Sequence, residues 1–402
     1  MAFIQENIQT RVERHYDVAV CGGGFAGIAA ALASARHGAK TVLFERQFML
    51  GGLGTAGLIT IYLPLCDGMG RQVSFGLAEE LLRESIVDGA EARYPANWLD
   101  GVGTRTREDD RFQVRFNAQL CAMRAQQMLL DAGVDVFFGT YVVGVDKEGD
   151  RIRHLVTENK SGRLAWSVGS VVDATGDADV AFLSGAPTQV YERGNNLAGW
   201  YYAVGEKGLR LCAVGVRDDP DYLPRDTEKL LFRDKPILGV DGEELSFYMH
   251  ASRAMTYADF LKRRQEDPSM FPVTISTIPQ LRMTRRLRGV YEMDEGERHT
   301  RFEDSIGMVS NWKKRGPVYE VPLRTLYSDT VKNLIMAGRC TSVTDAMWDV
   351  MRVIPCCSVT GQAAGTAAAM SDDFPNLDVS ALQRTLEQDG VVLHESDLPK
   401  QL

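Results

Sequence analysis

Residues 16–27 have the sequence YDVAVCGGGFAG, and residues 41–45 have the sequence TVLFE. The apolar residues before Gly22 predict a short strand that is buried on both faces. The small, mostly apolar residues 28–37 predict a helix, and residues 41–45 predict a second strand that ends in Glu45. Strand, helix and strand together predict a βαβ unit of the kind that binds a dinucleotide.

The three spaced glycines of this unit have separate roles in that prediction. Gly22 allows a tight turn, Gly24 lets the backbone approach a pyrophosphate, and Gly27 lets the helix pack close to the strand. The amides at the start of the helix meet the phosphate charge at the positive end of the helix dipole. Glu45 stands 23 residues after Gly22, where an acid is expected to accept hydrogen bonds from an adenosine ribose.

The composition is that of an ordinary globular protein large enough for two or three domains. The chain has 402 residues, of which 45% are hydrophobic and 25% are charged, and its formal net charge is −9. The negative charge argues against nucleic acid or an anionic membrane as the main partner. The cysteines are scattered without CxxC or zinc-ligand spacing, so the sequence predicts neither a disulfide framework nor a metal site.

The sequence has no pattern typical of a targeting or membrane-spanning segment. Residues 1–15 mix charged and polar residues and contain no apolar core of a secretory signal. Residues 18–35 carry no charge, but their glycines and their strand-turn-helix pattern argue against a spanning helix. We therefore expect a reduced, cytoplasmic location.

The hydrophobic period changes along the rest of the chain and predicts further elements. Between residues 141 and 168 the period is two, which predicts an antiparallel meander of three strands. Strands are expected at 141–145, 152–157, 164–168, 170–176 and 333–339, and helices at 112–132, 257–266, 358–370 and 382–386. The predicted dinucleotide-binding domain is discontinuous, with residues 1–75, 115–185 and 325–372, the predicted substrate domain has residues 76–114 and 186–324, and residues 373–402 form a C-terminal helix and tail.

Six motifs, taken in order along the chain, resemble those of one family. They are residues 22–31 (GGGFAGIAAA), 51–58 (GGLGTAGL), 172–179 (VDATGDAD), 284–286 (TRR), 333–340 (NLIMAGRC) and 352–365, which end in GQAAG. The chain is similar to the FAD-dependent oxidoreductase family, one of the flavoproteins with a glutathione-reductase-like fold and a relative of fumarate reductases and thiazole synthases. The resemblance implies an α/β fold: a Rossmann-like FAD-binding domain, with a parallel sheet and an antiparallel β-meander, and an inserted α+β substrate domain.

The resemblance also implies FAD as the cofactor, held without a covalent bond. The pyrophosphate would lie at the first glycines, the adenosine ribose at Glu45, the adenine beside Val143, and the flavin beside Gly51 and Gly52. Carried over position by position, the implied cofactor-binding residues are Gly22, Gly24, Phe25, Ala26, Gly27, Glu45, Arg46, Gly51, Gly52, Thr55, Val143, Ala174, Thr175, Gly176, Gly338, Arg339, Gly361, Gln362, Ala363 and Ala364.

The helix expected at 358–370 has a further implied role beside the flavin. The free amides that follow Gly361, at Gln362, Ala363 and Ala364, would point at the N1/O2 edge of the ring. Unpaired amides at a helix start stabilise the negative charge that a reduced flavin carries there.

The chain departs from the family pattern after Cys340. Asp345 stands near the position where a histidine is expected, and the bulky Trp348 with Asp349 replaces small residues before Arg352. By the resemblance these positions face the substrate, so we expect an unusual substrate or base. Arg352 with Trp348 is the preferred pair of substrate-contacting side chains.

FAD enzymes take a hydride onto flavin N5 while a base removes a proton. His250 is the preferred base, and a structural histidine is the alternative at that position. His299 lies in a charged stretch and is expected to be solvated. Surface or packing roles are expected for His15, His37, His154 and His394.

Two further groups have alternative interpretations. The arginines 282, 285, 286 and 288 are suited to clamp a carboxylate or phosphate, with Arg285 the candidate for the site. The alternative is a charged face with ion pairs to Glu292 and Asp294. Residues 200–202 (WYY) form either an aromatic wall for a sugar ring or the flavin, or a strand of an antiparallel sheet.

The sequence thus favours an FAD-dependent dehydrogenase that transfers hydride between flavin N5 and a small polar substrate such as a sugar or polyol. Reduction of a C=C bond is the reverse alternative. Two other classes remain: an NAD-dependent dehydrogenase, against which the meander and the late helix count, and a flavin-binding protein with an isomerase or structural role. The expected partners are the small-molecule substrate and an electron acceptor of unidentified kind, without nucleic acid or a membrane span, and a homo-oligomer is left open.

Overall fold

In the computed structural model, which describes residues 4–91, 94–99, 106–215 and 236–398, the expected βαβ unit is present. Strand β1 (Arg11–Cys21), helix α1 (Phe25–Arg36) and strand β2 (Thr41–Phe44) follow one another, and the two strands pair in parallel. Val18 and Val20 are completely buried, as expected for a strand that is covered on both faces.

The remaining elements of the described residues follow in chain order. The strands are β3 (Ile61–Tyr62), β4 (Val114–Arg115), β5 (Asp135–Phe137), β6 (Tyr141–Glu148), β7 (Arg151–Asn159), β8 (Gly162–Asp173), β9 (Thr188–Val190), β10 (Gly199–Gly205), β11 (Gly208–Val214), β12 (Phe271–Ile275), β13 (Arg285–Leu287), β14 (Ser305–Ser310), β15 (Val318–Pro322) and β16 (Leu334–Met336). The helices are α2 (Leu77–Glu84), α3 (Ala96–Leu99), α4 (Ala118–Asp131), α5 (Asp179–Ser184), α6 (Gly242–Glu266), α7 (Asp345–Met351), α8 (Ile354–Met370) and α9 (Val379–Gln388).

The main sheet has seven strands and combines a parallel part with the predicted meander. Its order is β5-β2-β1-β8-β7-β6, and β16 also pairs with β8. The strands expected at 164–168 and 170–176 form one long strand, β8. The first half of β8 pairs antiparallel with β7, and its last residues pair in parallel with β16. The Rossmann-like α/β fold with its β-meander is thus confirmed.

The parallel strands end at the same level. Cys21 at the end of β1 is opposite both Phe44 and Asp173, the last residues of β2 and β8, and Asp173 is opposite Met336 of β16. Because these carboxyl ends coincide, the four turns that follow them lie along one edge of the sheet.

Helix α8 packs directly on α1 through two glycines. A Cβ at Gly361 would lie 2.3 Å from the carbonyl oxygen of Ala26, and a Cβ at Gly365 would lie 2.1 Å from that of Ala30. The small residues of both helices therefore serve a close helix contact. Both helices also contact strands of the main sheet, so α1 and α8 lie side by side against it.

The inserted region contains a separate three-stranded sheet with the order β11-β10-β12. Residues 200–202 lie in β10, so the strand alternative is confirmed for them. Tyr201 packs with Phe260 of α6, whereas Tyr202 packs with Leu58 and Ala118. The sheet therefore lies between α6 and the dinucleotide-binding part of the chain.

Three helices differ in extent from the sequence predictions. The helix expected at 112–132 begins only at Ala118, because Asn117 caps it and the residues before it form β4. Helix α6 is much longer than the expected 257–266, and α8 begins four residues before Ser358.

Helix α2 lies in the predicted substrate domain, yet its Leu77 belongs to the same hydrophobic cluster as α1 and α8.

Two further findings concern the chain as a whole. Among the described residues, no helix is both long enough and apolar enough to cross a membrane. All seven cysteines are free thiols, and only Cys357 is partly exposed.

Candidate active site

A cleft lies along the sheet edge at which β1, β2, β8 and β16 end. It encloses about 1330 Å³ outside the protein atoms, including the part open to solvent. Its walls come from the turns after these four strands, from residues 51–54, from the start of β6 and from the residues before and within the first turn of α8. Ligands of open α/β sheets bind at this edge, so the cleft is where the sequence predicts the dinucleotide.

The glycines of the first turn have different surroundings. Gly22 has a φ of +105°, and a Cβ there would lie 2.5 Å from the carbonyl oxygen of Ala174. A Cβ at Gly27 would lie 1.8 Å from the carbonyl oxygen of Gly22. A Cβ at Gly24 would meet no atom within 4 Å, although Gly24 lines the cleft. Gly22 and Gly27 thus serve close packing, whereas Gly24 borders open space that a ligand can enter.

The start of α1 is open to an anion. Gly24 is the N-cap of this 12-residue helix, and no side chain caps its first amides. Phe25 and Ala26 of the first turn line the cleft. Uncapped amides and the helix dipole together make such a helix start a site for phosphate.

Glu45 is held in the cleft by two backbone amides. Its Oε2 accepts a hydrogen bond from the Gly23 amide at 2.6 Å, and its Oε1 accepts one from the Gln47 amide at 2.7 Å. Burial raises the pKa of Glu45 above its usual value, although these two amides act in the opposite direction. The carboxylate is therefore fixed in place, with lone pairs left for a diol.

Arg339 and Asp177 join the turns after β16 and β8. Arg339 donates from Nη2 to Oδ1 of Asp177 at 2.6 Å and from Nε to the carbonyl oxygen of Gly176 at 2.8 Å. Burial alone would raise the pKa of Asp177, but Arg339 and Arg46 outweigh it and hold that pKa below its usual value. Asp177 is therefore a carboxylate between two cations, and all three side chains line the cleft.

Arg285 lies behind this pair rather than in the cleft. It donates to the carbonyl oxygen of Asp177 at 2.9 Å and to Oδ1 of Asp179 at 2.7 Å. Arg286 is only 3% exposed and is paired with Asp345 and Glu292. Both guanidinium groups are thus held by ion pairs within the protein, and neither lines the cleft. The catalytic role expected for Arg285 is corrected accordingly.

The pKa of Asp179 is shifted in the opposite direction from that of Asp177. Burial raises the pKa of Asp179 to about 6, and the negative charges of Asp177 and Asp173 act in the same direction. Arg285 lowers it only in part. Since Asp179 also lines the cleft, the charge of this end of the cleft changes near neutral pH.

Comparison with known families shows the family to which the chain belongs. The sequence profile described as FAD dependent oxidoreductase matches residues 17–229 and 248–386, which is most of the chain. The chain belongs to this family. It is an FAD-dependent oxidoreductase, and the NAD-dependent alternative is set aside. No curated protein matches the sequence.

Solved structures similar to this oxidoreductase share little of its sequence. A geranylgeranyl bacteriochlorophyll reductase-like protein from Thermoplasma acidophilum is 14% identical, with a TM-score of 0.48, over 94% of this chain and 83% of the other. The p-nitrophenol 4-monooxygenase PnpA from Pseudomonas putida is 13% identical, with a TM-score of 0.48, over 95% and 82%. THI4 from Thermovibrio ammonificans is 23% identical, with a TM-score of 0.31, over 45% and 66%.

The residues of the cleft fit FAD in their chemistry. The open space at Gly24 and the uncapped start of α1 suit its phosphates, and the fixed carboxylate of Glu45 suits a ribose diol. Of the predicted cofactor-binding residues, the cleft is lined by Gly22, Gly24, Phe25, Ala26, Glu45, Arg46, Gly51, Gly52, Ala174, Thr175, Gly176, Gly338 and Arg339.

Three predicted cofactor-binding residues do not line the cleft of the oxidoreductase. Gly27 packs against the turn at Gly22. Thr55 is completely buried and donates from its hydroxyl to the carbonyl oxygen of Leu50. Tyr141 and Val142 line the cleft in place of Val143.

The residues 361–364 also lie away from the cleft. Because α8 begins at Ile354, their amides are inside the helix and are not free. Gly361 contacts α1, and the side chain of Gln362 accepts a hydrogen bond from the Leu77 amide at 2.8 Å. The predicted contacts of Gly361, Gln362, Ala363 and Ala364 with the flavin are therefore wrong. Ile354 and Cys357, in the first turn of α8, line the cleft instead.

Three residues before α8 are predicted to face the substrate, and of these Arg352 lines the cleft whereas Asp345 and Trp348 do not. Its guanidinium donates to Oδ1 of Asp349 from Nε at 3.0 Å and from Nη2 at 2.6 Å. Trp348 is completely buried, and its Nε1 donates to the carbonyl oxygen of Arg339. Asp345 is half exposed and pairs with Arg286. The expected contact of Trp348 and Asp345 with substrate is thus corrected, since both are structural.

The preferred base is also misplaced by the sequence argument. His250 is exposed on α6 and does not line the cleft, and no other histidine of the described residues does so. His299 is 46% exposed in its ion pair with Glu395. His394 is buried against Glu320, with 2.8 Å between Nδ1 and Oε2.

The sequence argument missed the wall that closes the cleft from the inserted region. This wall consists of Gly239, Leu245, Ile278, Pro279 and Leu281. No motif marks these residues, because they reach the cleft through contacts with residues that are far from them in the sequence. The Ile-Pro pair after β12 is the sole local hint, because proline there signals a turn.

Proposed function

We propose that this oxidoreductase transfers a hydride between a carbon atom of a small-molecule substrate and N5 of FAD. The observation that carries the proposal is the position of residues 276–281, which lie across the glycine-rich loop at residues 51–58. The Thr277 amide donates to the carbonyl oxygen of Ala56 at 3.0 Å, and Nε2 of Gln280 donates to that of Gly57 at 2.5 Å. A segment of the inserted region thus closes the cleft directly over residues 51–58.

The residues of the chain bind, position and shield the reactants. When bound, FAD supplies a ring that accepts or gives a hydride at N5. The start of α1 and Glu45 hold the dinucleotide at one end of the cleft. Leu53, Ile278 and Pro279 exclude water at the other end, which protects a hydride transfer from competing reactions.

No histidine of the described residues lines the cleft to take a proton. Arg352 is a hydrogen-bond donor without an acceptor atom, so it is not a base. Burial raises the pKa of the Cys357 thiol to about 12, so this thiol is a poor base near neutral pH. We therefore expect the reaction to proceed without a histidine base.

The sequence also predicts a substrate class and a direction of hydride transfer, and these two predictions have different support. A sugar or polyol substrate has little support, because the described wall residues from the inserted region carry no polar side chain. Hydride transfer in the reverse direction, to a C=C bond, fits the same cleft. The electron acceptor, a homo-oligomer and a cytoplasmic location stay predictions.

The test is an anaerobic screen of the purified protein. Bound FAD gives an absorbance band at about 450 nm, and a substrate that donates a hydride bleaches this band. We expect a yellow protein and bleaching by a subset of compounds. A yellow protein that no donor bleaches, and whose dithionite-reduced form no C=C acceptor reoxidises, would support the isomerase or structural alternative.

A further inference from the structure

We propose that Gln280 is a positioning residue for the cofactor, which holds the loop of residues 51–58 in the conformation that retains FAD. The inserted region thereby controls how long FAD stays bound. The inference goes beyond hydride transfer, because it concerns the retention of FAD whether or not a substrate reacts.

The first half of this loop borders the cleft. Gly51, Gly52, Leu53 and Gly54 all line it. This half is held by the βαβ unit, since the Gly51 amide donates to the carbonyl oxygen of Gly23 at 2.8 Å. The position of these four residues therefore sets the shape of the cleft that receives FAD.

The second half of the loop is held by the inserted region instead. The Thr277 amide donates to the carbonyl oxygen of Ala56 at 3.0 Å, and the Thr277 hydroxyl donates to the same oxygen at 3.3 Å. Nε2 of Gln280 donates to the carbonyl oxygen of Gly57 at 2.5 Å. We call these hydrogen bonds the loop contact. Through it, a segment that is more than 200 residues away in sequence fixes a loop that lines the cleft.

The end of the loop depends on such contacts because its backbone is unfavourable by itself. Leu58 has a φ of +58°, in the left-handed region, which is costly for a residue with a side chain. A conformation of this kind persists only where the surroundings hold it. Leu58 packs with Ala118 and with Tyr202, which belongs to β10 of the inserted region. Loss of part of the loop contact therefore loosens a loop with little intrinsic preference for its conformation.

Gln280 contributes little net stability to the fold. Its side chain is only 2% exposed, and its Oε1 is buried without a hydrogen-bond donor among the described residues. An unpaired buried acceptor is unfavourable and offsets what the hydrogen bond from Nε2 contributes. The main effect of this glutamine is therefore on the position of the loop.

The experiment measures how fast the FAD-loaded protein releases FAD, followed by flavin fluorescence. Gln280→Met keeps the approximate size of the side chain but removes its amide. We expect release to be at least about threefold faster, because a hydrogen bond that holds the loop is lost. The melting temperature of the apoprotein should change by no more than about 2 °C, since the unpaired Oε1 is removed as well. An unchanged release rate would overturn the proposal.

Gln383 provides the matched control. Its Nε2 also donates to backbone carbonyl oxygens, those of Glu303 at 2.8 Å and Ser305 at 3.0 Å, but it does not line the cleft. We expect Gln383→Met to release FAD as slowly as the unmodified protein. If both variants released FAD faster by the same factor, the effect would be one of general stability and the proposal would be wrong.

Hydrogen exchange of the unmodified protein gives a second test, which does not depend on whether Gln280→Met folds. Since the loop contact favours FAD binding, bound FAD must favour the loop contact to the same extent. The Thr277 amide should therefore exchange at least about threefold more slowly in the FAD-loaded protein than in the apoprotein. The reference is the Met270 amide, which donates to the carbonyl oxygen of Asp267 at 3.0 Å within the inserted region.

Equal changes at the Thr277 and Met270 amides would overturn the proposal, because FAD would then stabilise the inserted region as a whole. Neither measurement needs a substrate. Failure of hydride transfer is therefore distinguishable from failure of the role proposed for Gln280.

Discussion

Arg339 donates from Nη2 to Oδ1 of Asp177 at 2.6 Å, and this pair ties the turn after β16 to the turn after β8. Both side chains are largely buried, with 14% and 11% of their surfaces exposed. Arg46, from the turn after β2, places its Nη2 3.7 Å from the other oxygen of Asp177. One carboxylate therefore holds together three of the four strand-end turns that line the cleft.

We expect Asp177→Asn to destabilise the protein strongly in the absence of FAD. The substitution keeps the shape of the side chain but leaves Arg339 without its counter-charge. Loss of one partner of a buried ion pair costs about 3 kcal/mol or more. The phosphates of FAD can replace part of the lost charge, so the loss should be smaller with FAD. Urea unfolding with and without FAD measures both values.

Asp372 provides the control for this substitution. It pairs with Arg151 but is 64% exposed, so Asp372→Asn should change the free energy of unfolding by about 0.5 kcal/mol or less. Similar losses for the two variants would show that the Asp177 pair has no special importance.

Gly24→Ala should separate binding of FAD from stability of the fold. Gly24 has φ −71° and ψ 179°, which alanine adopts without strain, and its Cβ would meet no protein atom within 4 Å. The apoprotein should therefore be as stable as before, or more stable by about 0.5 kcal/mol. The added methyl group occupies the approach of the pyrophosphate, so FAD affinity should fall by at least about tenfold.

The control for Gly24→Ala is Gly242→Ala. Gly242 also has open space at its Cβ, but it lies at the start of α6 and does not line the cleft. It should keep full flavin content. Full flavin content in purified Gly24→Ala, with unchanged affinity by titration, would contradict the assigned pyrophosphate site.

The turns that line the cleft after β1, β2 and β8 could be predicted because their determinants are local. A tight turn at Gly22, an uncapped helix start and the acid after β2 all depend on residues within one βαβ unit. The meander is equally local, since antiparallel neighbours joined by short turns show the period of two. Within the meander, the division of β8 into two strands was wrong, because the interruption at Gly169 does not end the strand.

The residues that α6 and α8 contribute to the cleft could not be predicted, because they depend on where these two helices begin and which faces they bury. The start of α8 at Ile354 moves residues 361–364 from the cleft into the contact with α1. Trp348 resembles a substrate-facing aromatic residue in sequence, yet its indole is needed to hold the carbonyl oxygen of Arg339. His250 lies on the exposed face of α6. The hydrophobic periodicity of this helix is weak, so the sequence does not predict which of its faces is exposed.

Asp179 should make stability depend on pH in a defined direction. Its pKa is raised to about 6 in the folded protein, above the value of about 3.8 expected for the unfolded chain. The folded state therefore binds more protons between these values. The contribution of Asp179 is complete below about pH 4 and is lost as the pH rises through about 6.

The variant Asp179→Asn isolates this effect from other titrating groups. The unfolding free energy of the wild type minus that of the variant should fall from pH 4 to pH 7 and stay constant above. Asp372→Asn, at an exposed position beside Arg151, serves as the control, because arginine does not titrate in this range. A difference for Asp179→Asn that rises with pH would reverse the sign that we assign to the shift.

Arg352 and His250 test the site against the prediction made from sequence. Arg352 lines the cleft beside Ile354, and Arg352→Ala removes a positive charge from that wall. With a substrate from the anaerobic screen, we expect flavin bleaching to slow by about a hundredfold at normal flavin content. Arg352→Lys should recover part of the rate, because lysine keeps the charge but not the paired hydrogen bonds to Asp349. His250→Ala should bleach as fast as the wild type. A slow His250→Ala would instead support His250 as the base, and a fast Arg352→Ala would show that Arg352 takes no part in the reaction.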